Sequence, residues 1–402
     1  MRFNMKKLNT VKQLVKFGFA DFSRAKVKAK IGVALVLMAM AHAHAETGVT
    51  DKKILLGQSA AFSGPAAQLG IQLNLGAKTY FDQVNATGGV YGRKIEIIQK
   101  DDKYEADLAA ANTKTLIETD GVFALFGYVG TATSNAALPI FSQAKVPFFA
   151  PFSGAQSLRE PFNRQIFHIR ASYYDETEHL VDRLANLGTK SIAVFYQNDA
   201  YGKAGLAGVE LAMKKRNLKL SETVTVERNS TDVTAAVAKL LPKRPDAIIQ
   251  ISTYAASSAL IKEMHKASYT GMFYNVSFVG SQALADTLDK DGVGVVVSQV
   301  TPFPWSGSIP LVAEYTKNLD KAGVKNLNFS SFEGYIAAKV FVEGLKRAGP
   351  ALTREKLVSA LETINRGSYD LGGYDISFSP SNHNGSKYVD MTVISKDKKF
   401  RN

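Results

Sequence analysis

The chain has no cysteine among its 402 residues. That excludes disulfides, thiolate metal sites and a cysteine nucleophile, and it removes the N-terminal cysteine on which an exported lipoprotein is acylated. Tryptophan is nearly as scarce, with Trp305 alone. Past residue 45 the histidines are His168, His179, His265 and His383, and none pairs with another at metal-ligand spacing. A phosphate loop of G-x-x-x-x-G-K-[ST] form is missing, as is a G-x-S-x-G elbow. Gly292-Val293-Gly294 lacks the third glycine of a dinucleotide fingerprint. No cofactor is therefore expected, and nothing argues for catalysis. A long apolar run is also absent: the uncharged window between Lys30 and Glu46 is shorter than the roughly 20 residues of a membrane-spanning helix.

What the N-terminus does have is a basic stretch, a short apolar run (Ile31–Met40) and Ala41-His42-Ala43-His44-Ala45. These are the three parts of a secretory signal peptide, with small residues at A-x-A spacing. Cleavage is expected after Ala45, with Ala43 as the alternative. The basic region is longer than usual, which leaves Met5 or a later residue as an alternative start. Residues 1–30 hold nine Lys or Arg against Asp21, so they supply +8 of the chain's +13 and leave +5 for the rest. The basic balance is thus largely an export signal, and no nucleic-acid partner is inferred from it. An exported chain with no lipid tether is expected in the periplasm, or else free in the medium. The 357 of 402 residues beyond position 45 suffice for two domains of common size.

From Ile54 onward, short apolar runs alternate with longer amphipathic ones. The pattern predicts strands at Ile54–Ser59, Ile95–Lys100, Val122–Phe126 and Val146–Ala150, with helices near Gly70–Val84, Ala106–Glu118 and Thr131–Ser142. After Arg170 it restarts, with strands at Ile192–Tyr196, Thr223–Val226, Ala247–Ile251 and Met272–Ser277 and helices between and after them. Two runs of β-α-β units imply an α/β protein of two doubly wound parallel-sheet lobes. Three extended passages, Phe167–Arg170, Val295–Val300 and Tyr374–Phe378, read as strands crossing between the lobes, and a final strand is expected at Tyr388–Ser395. The expected division is 46–169 with 301–377 in one lobe, and 170–300 with 378–402 in the other.

Open parallel sheets bind ligands beyond the carboxyl ends of their strands. In the first lobe those loops are Ala60–Leu69, Gly127–Thr131 and Pro151–Gln156. Gly127-Tyr128-Val129-Gly130-Thr131-Ala132-Thr133 combines glycines with hydroxyls, which suits a carboxylate; Thr131 could equally serve as a helix cap. Pro151-Phe152-Ser153-Gly154 offers a second such set. Tyr128 and Phe152 favour a partly apolar ligand.

Phe62-Ser63-Gly64-Pro65-Ala66-Ala67-Gln68-Leu69-Gly70 resembles the S-G-P-x-A-x-x-G loop of leucine/isoleucine/valine-binding proteins, the solute receptors of branched-chain amino-acid ABC importers. Asn85-Ala86-Thr87-Gly88-Gly89-Val90-Tyr91-Gly92-Arg93-Lys94, Asp101-Asp102 and Asn198-Asp199-Ala200-Tyr201-Gly202 are similar to further motifs of that family. The resemblance runs from about Ile54 to Ser395 and implies the type I periplasmic binding protein fold. It also implies roles: Thr131 matches a serine that holds the ligand carboxylate, Phe152 a residue whose backbone does the same, and Tyr201 and Tyr254 tyrosines that close from the second lobe. Gly154 stands where amino-acid binders place a threonine, Leu69 replaces a pocket-wall aromatic, and Ser277 replaces the glutamate that pairs with the ligand's α-ammonium. A desolvated ammonium without an acid is costly, so either Asp175 or Asp199 takes that role or the ligand has no amino group.

The candidate ligand-binding residues are therefore Tyr128, Thr131, Thr133, Phe152, Ser153, Gly154, Tyr173, Tyr201, Tyr254, Ser277 and Phe278, with Tyr173 placed near the hinge. The expected function is capture of a small carboxylate by hinge closure and delivery to an ABC permease and ATPase complex in the inner membrane, as a monomer. The alternative is a sensor of the same fold that signals to a receptor. A DNA-binding repressor of related fold is disfavoured, because the leader occupies the place of its helix-turn-helix. N-terminal sequencing of the exported form should return Glu46 and no lipid; Met1 retained in a membrane fraction would overturn the leader assignment.

Overall fold

The computed structural model describes residues 46–402, and the expected leader lies outside the described residues. A five-stranded parallel sheet forms first, from β1 (Lys53–Ala60), β2 (Lys94–Asp101), β3 (Ala124–Phe126), β4 (Phe148–Phe149) and β5 (Ile166–Phe167), in the order β2-β1-β3-β4-β5. Between these strands run α1 (Ala67–Ala86), α2 (Ala106–Glu118) and α3 (Thr131–Gln143). The second sheet repeats that order with β6 (Ile192–Gln197), β7 (Glu222–Val226), β8 (Ala247–Ile251), β9 (Met272–Asn275) and β10 (Val296–Gln299). Its helices are α4 (Tyr173–Asn186), α5 (Ala200–Lys215), α6 (Thr234–Lys243), α7 (Tyr254–Lys266) and α8 (Ser281–Leu288). The antiparallel strands β11 (Asp390–Ile394) and β12 (Phe400–Arg401) extend this sheet at the β10 edge. The fold is thus the expected two-lobed α/β architecture, with the topological switch of each sheet beside its first strand.

After β10 the chain returns to the first sheet as α9 (Pro310–Lys321), α10 (Phe329–Ala348) and α11 (Arg354–Leu361). With α1 they bury one face of that sheet through Tyr80, Phe81, Leu311, Phe332, Phe341 and Leu357. Phe126 and Phe149 stack at 6.0 Å and both meet the edge of Phe341, at 5.8 and 5.2 Å. Such aromatic pairs add to simple area burial. On the other face, α2 and α3 cover the sheet with Leu116, Ala137 and Phe141. In the second lobe α4 and α5 pack on one face, and α6, α7 and α8 on the other.

Several elements are shorter than the sequence pattern suggests, each for a local reason. β4 is cut to two residues because Pro147 brings no N–H to the ladder and Ala150 adopts φ +53°. β9 ends at Asn275 because Ser277 turns its N–H away from the sheet to Glu176. The third crossing lies later than expected. Tyr374, Ile376 and Phe378 stay in the first lobe's core. The chain then turns, pairs Asn384 with His168, and reaches the second sheet at Asp390. Tyr374 nonetheless sits at the joint: its hydroxyl lies 2.7 Å from the Ile169 carbonyl and 2.9 Å from that of Val300, one on each of the other two crossings. Replacing it by phenylalanine removes the one O–H proton that the two buried carbonyls share. Tyr374→Phe should lower the unfolding free energy by about 1–2 kcal/mol, read as a reduced urea midpoint; an unchanged midpoint would show that the hydroxyl does not tie the joint.

Candidate functional site

The starts of α3 and α4 meet at the loop after β4, which touches Thr131 through Ser153 and Tyr173 through Gly154. Gly130, at φ +103°, ends the β3 loop immediately before α3. A Cβ there would lie 2.5 Å from the Tyr104 ring, so glycine is required twice over, by conformation and by space. Thr131 is the first residue of α3 and not its cap. Its Oγ1 lies 2.8 Å from Ser153 Oγ, both side chains being fully buried. The first amides of α3 have no intrahelical acceptor, so this hydroxyl pair sits where a helix start favours an anion.

Gly154 has a physical reason of its own. A Cβ at that position would come within 2.7 Å of Tyr173, so the missing side chain lets the Tyr173 ring lie against the loop. Tyr173 opens α4 behind a capping box in which Ser172 and Asp175 exchange side-chain and backbone bonds. Its ring is 5.3 Å from that of Tyr201, which is 4.5 Å from Phe278, and Phe278 lies 5.4 Å from Phe152. Tyr104, missed from the sequence, completes the wall at 6.1 Å from Phe278. The Tyr173 hydroxyl is buried facing Ser153 and the Gly154 backbone, without a well-aligned hydrogen bond to either, and burial pushes its pKa up.

Three of the expected residues are used elsewhere. Tyr128 points through the sheet to Thr113, 3.0 Å away, and packs on Phe148 at 4.9 Å; Val129 faces the joint instead, as the two-residue alternation of extended chain requires. Thr133 turns its hydroxyl back to the Gly130 carbonyl at 3.0 Å. The Phe152 backbone is already paired, its N–H with Tyr128 and its carbonyl with Gly130, so Phe152 brings its ring and not its peptide group. Tyr254 lies at the rim, where its hydroxyl accepts from the Gln68 N–H at 3.4 Å. The rim beside it holds a cavity of about 370 Å³ lined by Leu69, Gln72, Gly280 and Ser330 among others. A larger hollow of about 610 Å³ lies along α9 beside Trp305, away from the hydroxyl pair. Across the opposite rim Asn229 donates to the Lys103 carbonyl and to Glu105, so the two lobes are shut on each other.

The charged centre of the joint is Arg170, which follows the apolar first crossing and is fully buried. Its guanidinium lies 4.5 Å over the Phe152 ring, gives Nη2 to Ser277 Oγ at 2.5 Å, and holds Nε 3.1 Å from Glu333 of α10. Nη1 has no partner among the described residues. Ser277 in turn serves Glu176 of α4, through its N–H at 2.7 Å and its hydroxyl at 3.1 Å, while Ser298 adds a third bond at 2.6 Å. The acid beside Ser277 is therefore Glu176, neither of the two anticipated. Asp175 closes the capping box, and Asp199 caps α5 through Tyr201 N–H and Gly202 N–H. The one sequence cue for this cluster was a cation directly after a buried extended run; nothing local marked Glu176 or Glu333.

A sequence profile of the periplasmic binding protein family matches residues 53–399. The chain belongs to that family. It is a type I periplasmic binding protein of the leucine/isoleucine/valine-binding class, whose members are solute receptors and not enzymes. It is 25% identical to the Leu/Ile/Val-binding protein homolog 7 of Brucella suis biovar 1 (strain 1330), over 82% of this chain and 86% of that protein. It is 34% identical to a solved structure of a possible leucine/isoleucine/valine-binding protein from Rhodopirellula baltica SH 1, covering 89% of this chain and 98% of the other, at a TM-score of 0.83. A solute-binding protein from R. palustris, solved in complex with benzoate, shares the fold at 17% identity and a TM-score of 0.77, over 87% and 95% of the two chains.

Burial raises the Glu333 carboxyl to about 7; Arg170 opposes the shift and Glu176 adds to it. Its folded-state pKa thus exceeds the unfolded value, so the folded chain keeps a proton that the unfolded chain releases. Stability from this group is full below the unfolded value and declines as pH rises toward 7. Glu333→Gln should remove that decline, leaving the variant more stable relative to wild type at pH 8 than at pH 5 by on the order of 2 kcal/mol. Denaturant midpoints at the two pH values measure it, and parallel pH profiles would contradict it.

Proposed function

We propose that this protein captures a small apolar or aromatic carboxylate in the periplasm and delivers it to an ABC importer. The observation that carries the reading is the buried Thr131–Ser153 hydroxyl pair at the start of α3, faced by the buried Tyr173 hydroxyl and walled by Phe152, Phe278, Tyr104 and Tyr201. A helix start with hydroxyls suits a carboxylate, and the aromatic wall suits the rest of such a ligand. These residues come from both lobes, so a ligand held among them stabilises the shut arrangement and biases rotation about the crossings. Export is supported by the family's periplasmic location and by the leader pattern. The relatives' names point to branched-chain amino acids, and the benzoate complex supports an aromatic acid on the same fold.

The acid beside Ser277, Glu176, is held by three hydrogen bonds from Ser277 and Ser298, which favours a ligand without an amino group. Calorimetric titration of the mature chain, freed of copurifying solutes, with leucine, 4-methylpentanoate and benzoate tests the proposal. One of the two acids lacking an amino group should bind at least as tightly as leucine, and Thr131→Val should weaken it about tenfold or more. Leucine binding a hundredfold more tightly than both acids, about 2.7 kcal/mol, would assign the site to amino acids.

A further inference from the structure

We infer that Arg170 is the counter-ion of the ligand's carboxylate, and that Glu333 yields the guanidinium to it by taking up a proton from solvent. The inference rests on the carboxylate reading above and adds the residue that supplies the charge. Arg170 presents five N–H donors in a fixed fork. Nη2 is engaged by Ser277, while Nη1 and Nε are both buried without a hydrogen-bond acceptor, Nε lying 3.1 Å from Glu333 but not aligned with it. A buried, unmet guanidinium donor is costly, and the guanidinium lies over Phe152, whose ring shares the wall with Tyr173 and Phe278. The acceptor that completes this fork is a planar carboxylate, which Arg binds bidentately.

The acids around the joint differ in how firmly they are held. Glu176 takes three hydrogen bonds, two from Ser277 and one from Ser298. Asp175 and Asp199 cap their helices. Glu333 has Arg170 as its one polar partner among the described residues, so it is the carboxylate that can be exchanged. If it stayed ionised, an incoming anion would bring a third negative charge against one guanidinium in a buried site, an expensive arrangement. Protonating Glu333 lets one carboxylate replace another at Arg170 and leaves the cluster's charge unchanged. The charged and titratable groups that face Glu333 are Arg170 from the first crossing, Glu176 from α4 and Tyr374 from the third passage. On α1, the backbone of Leu73 and Ala77 lies against Gly334, the next residue of α10. Its raised pKa fits a group ready to take a proton near neutral pH.

The test is calorimetric titration of wild type and Glu333→Gln with benzoate, 4-methylpentanoate and leucine, in phosphate and in Tris, from pH 6 to 8. Buffers of different ionisation heat report protons exchanged on binding. For wild type, binding of either acid should take up protons, and its affinity should fall by up to about tenfold per pH unit above 7. Glu333→Gln should still bind, with no proton uptake and a flat pH profile. Arg170→Lys, which keeps the charge but loses the fork, should weaken the acids about tenfold or more. If Glu333 is merely structural, Glu333→Gln lowers the melting temperature and keeps the wild-type pH slope, which overturns the inference. Binding of leucine alone, with no proton uptake, also overturns it while leaving carboxylate capture intact. No heat from any of the three compounds would instead overturn the capture reading itself.

Discussion

A buried guanidinium has to be neutralised, and Arg170 gathers its partners from both lobes and all sides of the joint. Glu176 reaches it from α4, Glu333 from α10, Ser277 from the turn after β9, and Phe152 offers its ring face from the loop after β4. Losing Arg170, the one cation that Glu176 and Glu333 share, would leave buried carboxylates uncompensated, at a cost of roughly 3–5 kcal/mol. The relative placement of the two sheets is therefore not left to apolar packing, which is non-directional. The ion cluster fixes it, and Tyr374 reinforces it by holding the two other crossings at their carbonyls.

That placement puts the carboxyl ends of two similarly ordered parallel sheets opposite each other, where helix starts and loop hydroxyls converge. Polar groups alternate there with aromatic rings. Thr131 and Ser153 lie on the first lobe's side, Tyr173 at the joint, and Tyr201 with Phe278 on the second. Because each lobe supplies only part of the wall, the full constellation exists only when the lobes are shut. On the proposed function, ligand occupancy and lobe closure are one equilibrium, and a transporter reads the shape in place of the ligand.

The absence of a family glutamate at Ser277 has a structural counterpart. An acid does occupy the neighbourhood, but Glu176 is saturated by serines and by the charge of Arg170, an arrangement suited to holding the joint together. Gly154 tells the same story in steric terms: the threonine of amino-acid binders would collide with Tyr173. Two departures that look independent in sequence thus adjoin one rebuilt corner, in which a tyrosine and an arginine lie where hydroxyl and carboxylate contacts to an amino acid were expected.

Local information sufficed for the layer structure. Apolar periodicity marked both β-α-β runs, and glycine and hydroxyl patterns placed the loops at the carboxyl ends of the strands, because these depend on neighbours within a few residues. It also placed Thr131, Ser153, Tyr173, Tyr201 and Phe278, which follow strand ends, at the joint; that they hold a ligand is the proposal made above. It did not suffice where a side chain chooses between the two faces of an extended segment. Tyr128 and Thr133 turned away from the joint, and the Phe152 peptide was taken by its neighbour strand. Nor could it locate the third crossing, since a reversing passage looks extended on both of its arms. The Arg170, Glu176 and Glu333 cluster was beyond the sequence altogether. Its members are brought together from the first crossing, α4 and α10, and a buried charge is defined by what the rest of the chain folds against it.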